Sequence, residues 1–184
     1  MSTSPGPVAI PAGEVSQRIA QLAAALDAEH PAGVVLLPVL PEAAALAADL
    51  TAALTVPVAC EGVHVTAFGA GESRARLVRS GETPLRDRDL VVVTAIVDTG
   101  LRLRFAVQAL EAYAPAGIAI LTLLDRPDRR IADIPLEHVG FTVGDCLFAG
   151  YGLGREPELT ELRDVHYRDA ASAERARRGR LRIA

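Results

Sequence analysis

Apolar residues recur along this chain in two rhythms that take turns. Val15, Ile19, Leu22, Ala23 and Leu26 stand three or four positions apart, which predicts a helix over about 12–29. Residues 34–39 are a short apolar run of the kind carried by a strand buried on both faces. Pro41 suits the first turn of a second helix, which runs through an Ala/Leu-rich segment to about residue 54. A second strand is expected within 56–68, with Gly62 marking a kink. The Gly-, Ser- and Arg-rich stretch 69–81 reads as a loop or flexible hairpin. A third strand at 90–93, a helix at 102–113 and a fourth strand at 118–124 follow. Short strands near 139–143 and 147–149 lead into Gly150-Tyr-Gly-Leu-Gly154.

Strands alternating with helices predict an α/β domain whose parallel sheet is covered by helices on both faces. Ligands of such sheets bind outside the carboxyl ends of the strands. Segments 40–43, 66–69, 94–100 and 125–130 all follow strands and should converge on one cleft. There is no internal repeat and no sign of a second domain. The expected division is a disordered lead over 1–9, one domain over 10–167, and an Arg-rich tail over 168–184.

Composition narrows the function classes. Half of the 184 residues are hydrophobic, enough for one full core, and 4% are aromatic. No apolar run reaches the roughly 18 residues of a membrane helix, and Met-Ser-Thr-Ser-Pro-Gly-Pro has neither a basic nor an apolar leader region. A cytoplasmic protein without membrane partners is expected. The net charge of −4 argues against general nucleic-acid binding. All 19 basic residues are arginine, so no lysine can act as nucleophile or phosphate clamp. Cys60 and Cys146 lack metal-ligand spacing and no His cluster accompanies them, so a buried or idle thiol is expected and no protein-held metal.

The chemistry concentrates in Val91-Val-Val-Thr-Ala-Ile-Val-Asp-Thr-Gly-Leu-Arg102. A β-branched run enters Asp-Thr-Gly, and a helix pattern starts at once. Unpaired amides and the helix dipole at such a junction favour an anion. Asp98 and Thr99 would otherwise serve only to cap the turn.

This loop resembles the ribose-phosphate loop of type I phosphoribosyltransferases, which bind phosphoribosyl pyrophosphate. The segment order from about 10 to 167 is similar to that of bacterial hypoxanthine-guanine phosphoribosyltransferases. The resemblance is carried by Ile96-Val-Asp-Thr-Gly-Leu101, Thr122-Leu-Leu-Asp-Arg-Pro-Asp-Arg-Arg130, Val139-Gly-Phe141 and Gly150-Tyr-Gly-Leu153. It implies the type I phosphoribosyltransferase fold, with a small hood made from the terminal segments, and a homodimer. It also implies that Thr94, Ile96, Val97, Thr99, Gly100, Leu101 and Arg102 surround a ribose 5′-phosphate. Asp98 would manage the proton on purine N7. Arg126 would meet the exocyclic oxygen of the base, with Leu147 or Phe148 against its face and Phe68 on the flexible loop.

The chain departs from the family pattern at several of these positions. Thr94 and Ala95 stand where two acidic residues usually engage the ribose hydroxyls and associated magnesium, and alanine offers a hard cation nothing. In the degenerate pyrophosphate loop Leu40-Pro41-Glu42, proline takes the cationic position, with no N–H to donate, and a carboxylate follows. Arg102 replaces a hydroxyl residue and either adds a bidentate anion contact or fills the space of the phosphate. Gly154 replaces a downstream Asp, and Arg155 and Arg163 are the nearest stand-ins for an Arg expected near Thr160. Magnesium use is therefore doubtful, and no other cofactor is expected. The sequence reading is a small-molecule enzyme of this ancestry, repurposed for a different reaction in the same cleft. A functional purine phosphoribosyltransferase using phosphoribosyl pyrophosphate is the alternative, and a non-catalytic nucleotide- or phosphate-binding regulator is the third.

Overall fold

The computed structural model describes residues 5–66, 75–154 and 156–178. Five strands form its central parallel sheet: β2 (Val34–Pro38), β3 (Val58–Cys60), β6 (Asp89–Val97), β7 (Gly117–Asp125) and β8 (His138–Thr142). Their order is β3-β2-β6-β7-β8. The longest pairing, β6 with β7, runs from Asp89 opposite Gly117 to Val97 opposite Asp125. Helices α1 (Ala12–Glu29), α2 (Ala44–Ala53) and α3 (Leu101–Glu111) cover the sheet.

Strand alternation assigns the two faces. Val34, Leu36, Val91, Val93 and Ala95 pack with Ile19, Leu22 and Leu26 of α1 and Leu46 and Leu50 of α2. Val35, Leu37, Leu90 and Val92 pack with Leu103 and Leu110 of α3. A strand apolar at every position is required when both faces are covered. That is why β2 and β6 read as continuous runs. Helix α1 matches its spacing-based bounds, since its buried positions are Val15, Ile19, Leu22, Ala23 and Leu26.

Three elements differ from the sequence reading. Pro41 is not in a first helical turn. It follows a cis peptide bond after Leu40, and α2 begins at Ala44. The strand expected within 56–68 is two strands in different sheets, β3 and β4 (Val63–Thr66). Gly62 lies at the break because any Cβ there would run into the Leu40 side chain. Strand β4 pairs antiparallel with β5 (Arg76–Arg79), so a hairpin does form where a loop or hairpin was expected. Phe68 and residues 69–74 of the expected loop lie outside the described residues.

The terminal segments make the hood. Strands β1 (Val8–Ile10), β10 (Val165–Tyr167) and β9 (Phe148–Ala149) form a three-stranded antiparallel sheet in that order. Residues 8 and 9 are therefore paired strand and not part of a lead, because the long-range partner Val165–Tyr167 is invisible to local patterning. Residues Ala170–Arg178 are helical (α5). A short helix, α4 (Pro157–Thr160), bridges the hood strands.

Candidate functional site

Strand β6 ends at Val97, Asp98-Thr99 form the bend, and α3 starts after Gly100. Gly100 has φ +78°, and a Cβ there would meet Ala132 and Ile134 at ordinary contact distance, 3.4 Å. The left-handed backbone, not lack of space, is what calls for glycine here. The Thr99 carbonyl accepts from the amides of Ile131 and Ala132, each at 2.9 Å, which ties the bend to the segment after β7. The first bond of α3 runs from the Arg104 amide to the Gly100 carbonyl. The amides of the first turn thus have no partner inside the helix and face the bend.

The bend opens on a cavity of about 220 Å³ lined by Val39, Glu42, Thr94, Ile96, Val97, Asp98, Thr99, Gly100, Arg102 and Leu103. Six of the seven residues assigned to the phosphate loop from the sequence meet here. Leu101 does not, because its side chain points outward and is half-exposed. Ala95 is fully buried among the core residues of the α1 and α2 face, while Thr94, on the opposite face of β6, lines the cavity. The Thr94 hydroxyl is directed to the Ile96 carbonyl at 3.3 Å. Val39, Leu103 and the orientation of Glu42 toward the cavity were not foreseen.

Four charged side chains from separated segments meet at the next rim. Arg126 sits at the end of β7, with its amide bonded to the Val97 carbonyl and its side chain 7% exposed. It donates to Asp145 Oδ1 at 2.6 Å and lies 3.6 Å from Asp98 Oδ1. Arg129, from the 3-10 turn Pro127–Arg129, donates to Asp98 Oδ1 at 2.6 Å and to Asp145 Oδ1 at 3.2 Å. The two arginines hold the Asp145 carboxyl below the usual carboxylate range, against the opposing effect of partial desolvation. Arg130 turns the other way, onto the buried Asp125 at 2.8 Å. Burial pushes the Asp125 carboxyl up despite that partner.

Across the cavity, Arg102 Nη2 donates to Glu42 Oε2 at 3.1 Å. Of the other sequence candidates, Phe148 is buried in the hood with its ring 5.7 Å from that of Tyr167, and Leu147 beside it is 47% exposed. Leu40 and Pro41 shape the turn after β2 without lining the cavity. Arg163 does not join this site. It bonds Asp49 of α2, which also accepts from Tyr151, beside a separate hollow against α1.

The match to known proteins follows this geometry. Residues 11–147 match the model of the phosphoribosyl transferase domain. This chain belongs to the phosphoribosyl transferase domain family. The hypoxanthine phosphoribosyltransferase of Salmonella typhimurium is 32% identical over 152 residues, covering 79% of this chain and 85% of that protein. The hypoxanthine-guanine phosphoribosyltransferase of Bacillus subtilis is 30% identical over 76% of this chain and 80% of its own length. Among solved structures, a hypoxanthine phosphoribosyltransferase from Trypanosoma cruzi in a ternary substrates complex superposes with a TM-score of 0.83 at 23% identity, over 92% of this chain and 98% of that one. A hypoxanthine-guanine phosphoribosyltransferase from Bacillus anthracis gives 0.81 at 23% identity, over 89% and 98%. These structures share the fold. Among the described residues, no helix is long and apolar enough to cross a membrane.

The fold family implies magnesium, and the cavity wall does not fit a protein-held ion. Magnesium needs hard oxygen ligands, usually carboxylates with substrate oxygens. The two carboxylates on the wall, Glu42 and Asp98, are each engaged by an arginine. No group of three candidate ligands occurs among the described residues.

Proposed function

We propose that the chain is a purine phosphoribosyltransferase of the hypoxanthine-guanine type, working in the cleft between the Asp98 bend and the Arg126 rim. The observation that carries this reading is the cavity built by the Asp98-Thr99-Gly100 bend, in a chain that spans 85% of a curated hypoxanthine phosphoribosyltransferase. The ribose 5′-phosphate would lie against the first-turn amides of α3 and the Thr99 hydroxyl, where partial positive charge is already in place. Arg126 is buried and fixed by Asp145, so its guanidinium is pre-oriented to donate to the 6-oxygen of a purine. Asp98 stands between the two. Both arginines engage its Oδ1, which leaves Oδ2 as the acceptor for the N7 proton. In the reaction, C1′ loses its bond to pyrophosphate and gains one to a purine ring nitrogen. The displaced proton goes to Asp98 as general base.

A second reading is a repurposed group transfer in the same cleft. It is favoured by Thr94 and Ala95 in place of an acidic pair, and by Glu42 placed where it repels pyrophosphate.

A steady-state assay separates them. Purified protein is given phosphoribosyl pyrophosphate, magnesium and hypoxanthine, guanine or xanthine, and nucleotide formation is followed. The first reading predicts turnover of at least one base, with Asp98→Asn lowering kcat by about 100-fold or more. No nucleotide from any of the three bases leaves the repurposed reaction as the reading to pursue.

A further inference from the structure

We infer that Ser172, on the C-terminal helix α5, is a positioning residue for the purine: it fastens the segment Asp145–Phe148 from behind and so holds Asp145, which in turn holds Arg126. This rests on the reading of the Arg126 rim as the purine site.

Arg126 is enclosed, but the carboxylate that orients it is not. The Asp145 side chain is 60% exposed, in the bend between β8 and β9. Exposure alternates along this segment: Cys146 and Phe148 are buried, and Leu147 is half-exposed. In extended chain that alternation puts Asp145 and Leu147 on one side and Cys146 and Phe148 on the other. The open side carries the contact with Arg126.

The fastening comes from the C-terminal part of the chain. The Leu147 amide donates to Ser172 Oγ at 3.4 Å, and the Cys146 thiol donates to the Ser172 carbonyl at 3.3 Å. One residue of α5 thus holds the two positions that follow Asp145. The Arg168 amide adds a bond to the Leu147 carbonyl at 2.9 Å, and Tyr167 pairs with Phe148 across β10 and β9. Helix α5 lies outside residues 11–147, the part of the chain that matches the family model.

Ser172 is built for this contact. It is fully buried, between Ala171 and Ala173. A buried hydroxyl is costly unless it is hydrogen-bonded, and alanine would serve the helix better. Asp169 caps the turn: its carboxylate accepts from the Ser172 amide at 2.6 Å and its carbonyl from the Ala173 amide at 3.2 Å. The hydroxyl therefore meets Leu147 from a capped helix turn.

The orientation of the Arg126 guanidinium depends on Asp145 Oδ1, 2.6 Å away. Loosening residues 145–148 lets that carboxylate drift and costs purine affinity. The Asp98-Thr99-Gly100 bend is fastened separately, through the amides of Ile131 and Ala132 on the Thr99 carbonyl. Arg129 also keeps its own bond to Asp98. The phosphate end and the proton transfer are thereby spared.

Steady-state kinetics of the wild-type protein, Ser172→Ala, Asp145→Asn and the double variant test this, with phosphoribosyl pyrophosphate, magnesium and hypoxanthine, guanine or xanthine as substrates. Thermal melts confirm that each variant is folded. Ser172→Ala should raise the purine KM by about three- to tenfold, the scale of one hydrogen bond, with kcat and the KM for phosphoribosyl pyrophosphate unchanged. Because Ser172 acts through Asp145, the double variant should show the purine KM of Asp145→Asn alone. Ser172 is overturned as a positioning residue, and the purine reading left intact, by any of three results: an equal rise for both substrates, no rise in folded Ser172→Ala, or effects that multiply in the double variant. No turnover by the wild-type protein overturns the purine site, and this inference with it.

Discussion

Two arginine–glutamate pairs in this molecule look alike in one dimension and behave differently in three. Glu61, at the turn after β3, accepts two bonds from Arg79 of β5, at 2.7 and 2.8 Å, and a third from the Thr83 amide at 2.8 Å. Its side chain is 3% exposed and that of Arg79 is 14% exposed. The Arg79 guanidinium also lies 5.1 Å from the Tyr113 ring centre and donates to the Thr83 carbonyl. Glu42 and Arg102, by contrast, share one bond at 3.1 Å between partly exposed side chains. A desolvated carboxylate held by three hydrogen bonds, two of them from a guanidinium, cannot leave without a large penalty. A half-exposed pair exchanges partners at little cost. The first pair fastens the β4–β5 hairpin to the central sheet. The second is available to a ligand.

Removing one member of each pair should separate them most sharply. Glu61→Ala leaves a buried guanidinium uncompensated and should cost about 3–5 kcal/mol of unfolding free energy by chemical denaturation. A loss below 1 kcal/mol would erase the distinction drawn between the pairs.

Acid should act on the buried pair next. Bonding to Arg79, opposed by burial and assisted by Thr83, holds the Glu61 carboxyl down from 4.5 to about 2. A group whose folded value is depressed contributes stability above its unfolded value and loses it as pH falls through the folded one. Wild-type stability should therefore fall between about pH 4.5 and 2 more steeply than that of Glu61→Gln, compared by denaturant midpoints across that window. Parallel profiles would show that Glu61 does not carry this dependence.

The smallest effect belongs to the cavity pair. Glu42→Gln and Arg102→Gln should each shift unfolding free energy by less than about 1 kcal/mol without ligand. A larger loss would make that pair structural and sharpen the comparison in the opposite direction.

The contrast also explains what could be read from the sequence. Helix α1 and strands β2, β6 and β7 announce themselves because their partners are apolar faces, and burial leaves a periodic trace in the residues themselves. The Asp98 bend was legible because strand, bend and helix are contiguous. Asp145 beside Arg126 and Arg129, and Glu42 opposite Arg102, lie 16 to 60 positions from their partners and leave no local pattern. The same holds for β1, whose pairing partner β10 is more than 150 residues away. Pro41 was misplaced because a proline that opens a helix and one in a turn just before it look the same in a linear pattern. Gly152 gave a sign in the Gly150-Tyr-Gly-Leu motif, but its reason, the close approach of the Glu42 carbonyl, exists only in the fold.

On the proposed reading, the Asp98-Thr99-Gly100 bend holds the 5′-phosphate of a purine nucleotide. The most direct measurement is calorimetric binding of inosine 5′-monophosphate against inosine, which differ only in that group. The nucleotide should bind at least about 100-fold more tightly, the scale expected for a charge-assisted phosphate site with bidentate arginine and helix N-terminal contacts. Equal affinities, or binding of neither compound, would contradict it.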